Sequence, residues 1–163
     1  MKSILISIKP KYCVLIITGQ KTIEVRKTKP RIDTPFKCYI YCTKGKSKNL
    51  QLQGKVIGEF VCDKITDAID IGGSEFYVAS CMDIAEWLKY TDGHKGKVWC
   101  WHISELKMYD KPKELGEFRK YKIKECWYAD LGLAKRDCPD CKDITCFVSR
   151  PPQSWCYVEG LRS

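Results

Sequence analysis

The residues best suited to chemistry form one short run, Gly19-Gln20-Lys21-Thr22-Ile23-Glu24-Val25-Arg26. Lys21 is a flexible cation, and Arg26 is a planar fork that matches a phosphate or a base edge. Glu24 is an acceptor able to hold either cation in place or to take a proton from a base amine. A turn followed by a strand start would gather the three groups around one end and one face of that strand, as a small charged cleft. The competing reading is a surface ion-pair cluster that adds little to stability.

Cysteines form the second candidate set. Eleven of them, at 13, 38, 42, 62, 81, 100, 126, 138, 141, 146 and 156, cannot all pair internally. Cys13, Cys38, Cys42, Cys62 and Cys100 lie in apolar or β-prone runs, where thiols serve as small hydrophobes. Cys138, Cys141 and Cys146 lie in a polar stretch that packing explains poorly. With Cys126 they give the spacing C-x11-C-x2-C-x4-C, and Cys-x-x-Cys lets two thiolates hold one tetrahedral ion from a turn that Pro139 preforms. The expectation is a structural zinc ion on Cys126, Cys138, Cys141 and Cys146, with Cys156 as the alternative to Cys126. Unbound thiols and a redox pair are the competing readings.

The chain that must position these groups has 163 residues, 44% apolar and 12% aromatic, enough for one packed domain and too much for a disordered chain. No apolar run approaches the roughly 20 residues that cross a bilayer. The start, Met1-Lys2-Ser3-Ile4-Leu5-Ile6, lacks the small-residue cleavage site of a secretory signal, so a cytoplasmic location is expected and disulfides are not. The net charge of +9 is unevenly spread: residues 1–55 hold 13 bases against two acids, and the remainder holds 16 bases against 18 acids. Such asymmetry gives a directional positive field suited to a polyanion such as nucleic acid, although a solvated lysine face would look the same.

Pattern and punctuation place the elements. Leu5–Ile8 reads as a strand ended by Lys9-Pro10, and Pro10 can open a helix that runs to Gly19. Thr22–Arg26 alternates as a strand with Ile23 and Val25 facing inward. Further strands are expected at Cys38–Thr43, at Gly54–Ile65 with a bulge or bend at Gly58, at Val98–Ile103 and at Trp155–Glu159. Asp83-Ile84-Ala85-Glu86 resembles a capping box opening a short helix that carries Trp87 and Leu88, and another short helix is expected around Glu114–Phe118. Five or six strands with few helices predict a small twisted β-barrel of mixed α+β character. Tyr39 and Tyr41 share one strand face, as do Trp99 and Trp101; either pair could stack on an unpaired base, but core packing is the commoner use. Trp155, after the polar turn Pro151-Pro152-Gln153-Ser154, is the better candidate for a cleft wall. His94 and His102 are the only histidines, and His102 is expected to be packed or hydrogen-bonded within a core strand.

The pattern G-x-K-x-x-E-x-R, preceded by Ser7-Ile8-Lys9-Pro10 and a helix and followed by the Gly58-Glu59-Phe60 strand, resembles the signature of the ASCH domain family. The resemblance covers about residues 3–118 and resumes at Pro151–Trp155. It implies an α+β, PUA-like β-barrel with a few short helices, and a single domain is expected over 1–163; the cysteine-rich insert at about 119–150 is not accounted for by the resemblance. It also implies binding of RNA or another single-stranded nucleic acid, or of a modified nucleoside, in a basic cleft. The residues expected to line that cleft are Lys9, Lys21, Glu24, Arg26, Lys44 and Trp155. Some small ASCH proteins that this chain resembles are amidohydrolases of acylated cytidine, and ribonuclease activity is associated with others. If this chain is an enzyme, Lys21 and Glu24 are its catalytic candidates. Glu24 stands where those hydrolases have threonine, and a carboxylate beside Lys21 favours the non-nucleophilic ammonium, which makes hydrolysis the second reading.

Overall fold

A computed structural model describes residues 1–45, 52–121 and 146–161. The elements run β1 (Lys2–Ile8), α1 (Pro10–Ile17), β2 (Ile23–Arg26), β3 (Phe36–Cys42), β4 (Val56–Asp67), α2 (Ala68–Ile71), α3 (Gly73–Ser80), α4 (Ile84–Thr91), β5 (Trp99–Lys113), a 3-10 turn (Leu115–Glu117) and β6 (Trp155–Glu159). The six strands form one curled sheet in the order β2-β5-β4-β3-β1-β6. β1 and β3 are parallel, joined through α1 and β2, and every other neighbouring pair is antiparallel. Curling brings the two edge strands, β2 and β6, towards each other.

Period-two alternation divides the apolar residues between layers. Ile4, Ile6 and Ile8 of β1, Cys38 and Ile40 of β3, Phe60 and Cys62 of β4 and Trp101 of β5 fill the inside of the curl, which α1 caps with Cys13 and Ile16. On the outside, Leu5, Tyr39, Tyr41 and Val158 are covered by Phe118 and Val148. The remaining outer face, Ile23, Val25 and Cys100, lies beneath Ala68, Phe76 and Met82 of the helical segment. Ile23 and Val25 face into a hydrophobic core, as expected. That core lies under the helices, and Glu24 and Arg26 take the barrel side. Tyr39 and Tyr41 are buried in the core layer of the other outer face.

Local signals explain most boundaries. Pro10 occupies the first turn of α1. α4 opens with a complete capping box: Asp83 accepts from the Glu86 amide at 2.7 Å, and Glu86 accepts from the Asp83 amide at 3.4 Å. β4 shifts register on both sides of Gly58, where an added Cβ would lie 2.6 Å from the Lys107 carbonyl oxygen; only glycine allows this close approach. Two features differ from the sequence reading. β5 continues to Lys113 instead of ending at Ile103, and residues 68–80 form the helices α2 and α3. Asp67 caps α2 through its side chain, accepting from the Ile69 amide at 3.3 Å. Among the described residues, no helix is long and apolar enough to cross a membrane.

Candidate functional site at the barrel seam

Lys21 is positioned by the end of α1. Gly19 takes φ +73°, and the Lys21 amide donates to the Leu15 carbonyl at 2.9 Å, folding the chain back against the helix. Its side chain then runs inward over the Tyr12 ring, with Nζ 4.7 Å from the centroid. There Nζ donates to the Ser80 carbonyl at the end of α3 at 2.7 Å and sits 3.4 Å from Glu24 Oε2. Glu24 and Arg26, two apart on β2, share the barrel-side face, and Glu24 Oε1 accepts from Arg26 Nη2 at 2.9 Å.

Arg26 spans the seam between the sheet edges. Nη2 donates to the Ser7 carbonyl of β1 at 2.6 Å, and Nη1 donates to the carbonyl and hydroxyl oxygens of Ser154, just before β6, at 3.3 and 3.1 Å. Two more contacts join the same edges: Trp155 Nε1 donates to Thr28 Oγ1 at 3.0 Å, and the Arg31 amide donates to the Tyr157 hydroxyl. Side chains thus close the seam that no backbone ladder closes.

Lys21, Glu24 and Arg26 are only 3%, 6% and 8% exposed. Two cations and one carboxylate leave one positive charge uncompensated within this group, in a setting where desolvation of each ion costs several kcal/mol. Four buried side-chain polar atoms among the described residues lack a hydrogen-bond partner: Glu24 Oε2, Arg26 Nε, Trp101 Nε1 and Ser3 Oγ. The first three lie together, because Glu24 pairs with Trp101 across β2 and β5. Arg26 Nε and Trp101 Nε1 are thus donors with unused capacity on the barrel-side face, and Glu24 Oε2 has only the Lys21 ammonium, at 3.4 Å. Folded proteins seldom leave such groups unpaired without a use for them. Two phenols flank the group. Burial, and next the Glu24 carboxylate, push the Tyr12 hydroxyl above its ordinary pKa, so it is a neutral donor at pH 7. Tyr90 donates to the Val25 carbonyl at 3.3 Å; burial raises it too, with Arg26 opposing and Glu24 adding.

The other sequence candidates fall in different places. Trp155 is half-buried beside the seam, its ring 5.8 Å from that of Trp101. Lys9 is exposed at the N-cap of α1. Lys44 lines a separate cavity of about 690 Å³ with Tyr41, Gly54, Leu115 and Pro151. His102 is half-buried and not in the inner core; its Nε2 lies 2.9 Å from Thr66 Oγ1, and burial, then Lys64, lower its pKa. Cys126, Cys138 and Cys141 lie outside the described residues, and among those described no group of three His, Cys, Asp or Glu side chains could hold a metal ion. Cys146 is described and buried. Ser7, Ser80, Ser154 and Tyr12 belong to the site without having been singled out for it, because single serines and an isolated tyrosine carry no spacing signal; Trp101, considered with Trp99 as a stacking ring, lies in the core.

The sequence matches no protein-family model and no curated protein. The fold does have counterparts: this α+β half-barrel is the fold of solved ASCH structures. The ASCH protein of Zymomonas mobilis, ZmASCH, superposes with a TM-score of 0.61 at 18% identity, over 96% of this chain and 87% of that one. A tyrosine-to-phenylalanine variant of ZmASCH gives 0.62 at 18% identity, over 98% of this chain and 91% of that one. A serine-to-alanine variant gives 0.62 at 18% identity, over 96% and 88%. At this identity the likeness establishes the fold and leaves the function to be argued from the site.

Proposed function

We propose that the protein binds single-stranded RNA and holds a phosphate or an unpaired base at the seam beside Lys21, Glu24 and Arg26. The observation that carries this reading is the buried ion group itself, with one excess positive charge and two buried donors, Arg26 Nε and Trp101 Nε1, that lack a hydrogen-bond partner. A purely structural group would be expected to balance its charge and satisfy its donors. The orphaned donors suit a phosphate or a base carbonyl, and Glu24 Oε2 suits a base amine. The positive excess of residues 1–55 supplies the long-range attraction. Hydrolysis of an acylated cytidine is less well supported, since Lys21 Nζ is committed to the Ser80 carbonyl and to Glu24.

The test is retention of short RNAs across a salt series, with acylated cytidine incubated in parallel and products followed by mass. Salt-sensitive retention without turnover is expected, and Lys21→Met should weaken it by roughly tenfold while the thermal unfolding transition persists. Turnover abolished by Lys21→Met would replace the binding reading with the hydrolase.

We also propose the zinc site on Cys126, Cys138, Cys141 and Cys146. Its support is the spacing, together with the seating of the insert. The Lys120 amide donates to the Cys146 carbonyl at 3.0 Å and the Val148 amide donates to the Phe118 carbonyl at 2.9 Å, so the insert leaves and rejoins the barrel at adjacent points. Cys156 packs against the Leu5, Tyr39 and Val158 layer, which favours Cys126 as the fourth ligand.

A further inference from the structure

Beyond Arg26 the chain turns along the rim of the barrel, and three successive residues each meet an aromatic ring. Lys27 Nζ lies 5.2 Å from the Tyr90 centroid, Thr28 Oγ1 accepts from Trp155 Nε1 at 3.0 Å, and Lys29 Nζ lies 4.1 Å from the Trp99 centroid. Trp99 is approached by a second cation, Lys97, whose Nζ is 5.6 Å from its centroid and is anchored 3.1 Å from Asp67 Oδ2. Lys29, Lys97 and Thr28 are exposed, and Trp99 is half-buried.

The placement of Trp99 is set by register. It pairs with Arg26 on one side and with Asp67 on the other, so it stands in the same cross-strand row as the seam arginine. Its neighbour two residues on, Trp101, is wholly buried opposite Glu24. Of the two tryptophans on this strand face, the inner one completes the core and the outer one ends at the rim among lysines. Core packing accounts for Trp101; Trp99 packs against the same core but stays half-buried, its remaining surface held at the rim between two exposed lysines. The local charge is positive on balance: the two loops carry Lys27, Lys29 and Arg31 with Asp33, and Lys95 and Lys97 with Asp92, while Asp67 is taken up by Lys97.

We propose that Trp99 is a base-stacking platform for single-stranded RNA, with Lys29 and Lys97 contacting the phosphates on either side, and that a strand laid on it is led to the seam at Arg26. This rests on the RNA-binding reading above and adds where the strand runs and why it must be single. An aromatic face flanked by cations is the arrangement on which unpaired bases stack, and a duplex keeps its base faces hidden. An acidic peptide could satisfy the lysines but would gain nothing specific from the indole.

The experiment uses the full chain, a fluorescein-labelled oligouridine of about 12 nucleotides, a duplex of equal length and a poly-glutamate competitor. Trp99→Ala should weaken single-strand binding roughly 5- to 150-fold, and Trp99→Phe should restore most of it. Lys29→Gln with Lys97→Gln, both at exposed positions, should lower the slope of log affinity against log salt by about 1.4 and leave the unfolding transition in place. Equal affinity for the duplex, competition by poly-glutamate that tracks the lysines alone, or wild-type affinity in both the Trp99→Ala protein and the double lysine variant would overturn the platform while RNA binding stands. No salt-sensitive retention of either RNA by the wild-type protein would overturn both.

Discussion

At the scale of single residues, the seam depends on one planar side chain. Arg26 reaches Ser7, Ser154 and Glu24 at once because a guanidinium presents five donors in a fixed fork, and an ammonium cannot span three such partners. Arg26→Ala should cost about 3–5 kcal/mol, because it leaves Glu24 Oε1 and the Ser7 carbonyl buried without their donor and unties Ser154 from the seam. Arg26→Lys should recover only part of that loss. Denaturant midpoints at constant m-value are the measurement, and an Arg26→Lys protein as stable as wild type would show that the seam does not need the fork. Arg26 and Glu24 were both visible in the G-x-K-x-x-E-x-R spacing. Ser7 and Ser154 were not, since a backbone carbonyl acquires a role only when a distant side chain arrives, and Ser154 lies 128 residues beyond Arg26.

Between elements, the middle strands are tied by a second ionic group, on the other outer face of the sheet. Glu59 of β4 accepts from Lys37 of β3 at 2.7 Å and from the Tyr109 hydroxyl of β5, so one carboxylate joins three strands. Burial alone would raise its pKa; the hydrogen bonds from Lys37 and Tyr109 outweigh that and hold it below the ordinary glutamate value. A depressed folded-state pKa contributes stability that is fully present above the unfolded value, near 4.3, and is lost as pH falls through the folded one. Wild-type stability should therefore drop below about pH 4, and Glu59→Gln should be less stable at pH 7 with a shallower acid limb. Thermal midpoints between pH 3 and pH 7 test this, and parallel acid limbs for the two proteins would exclude Glu59 as a source. The full length of β5 was partly legible here. Leu106 and Met108 alternate with the exposed Glu105 and Lys107 in period two, but the register shifts against β4 break the alternation, and the charges read as loop. Helices α2 and α3 were hidden because four- and eight-residue elements, separated by Gly72, carry too little periodicity.

For the whole molecule, Lys120 and Cys146 meet on the barrel, so metal binding by the chain between them would act on that segment more than on the sheet. Protein purified without chelator should carry about one zinc per chain, and chelation should unfold the insert while the sheet's unfolding transition shifts little. Metal content below about half an equivalent would remove the site. What the sequence determined by itself was local: the strand and helix segments whose patterns close within a few residues, the capping box at Asp83, the charge excess of residues 1–55 and the chemistry of Lys21, Glu24 and Arg26. What only the tertiary structure decided was which face of β2 looks where. Alternation separates Ile23 and Val25 from Glu24 and Arg26, but it cannot say what covers each side, and in β2 both sides are buried. The helical segment takes the apolar side, and the meeting of the edges β2 and β6 takes the charged one. The closure of a curled sheet, a long-range event, turned a charged run into a buried seam.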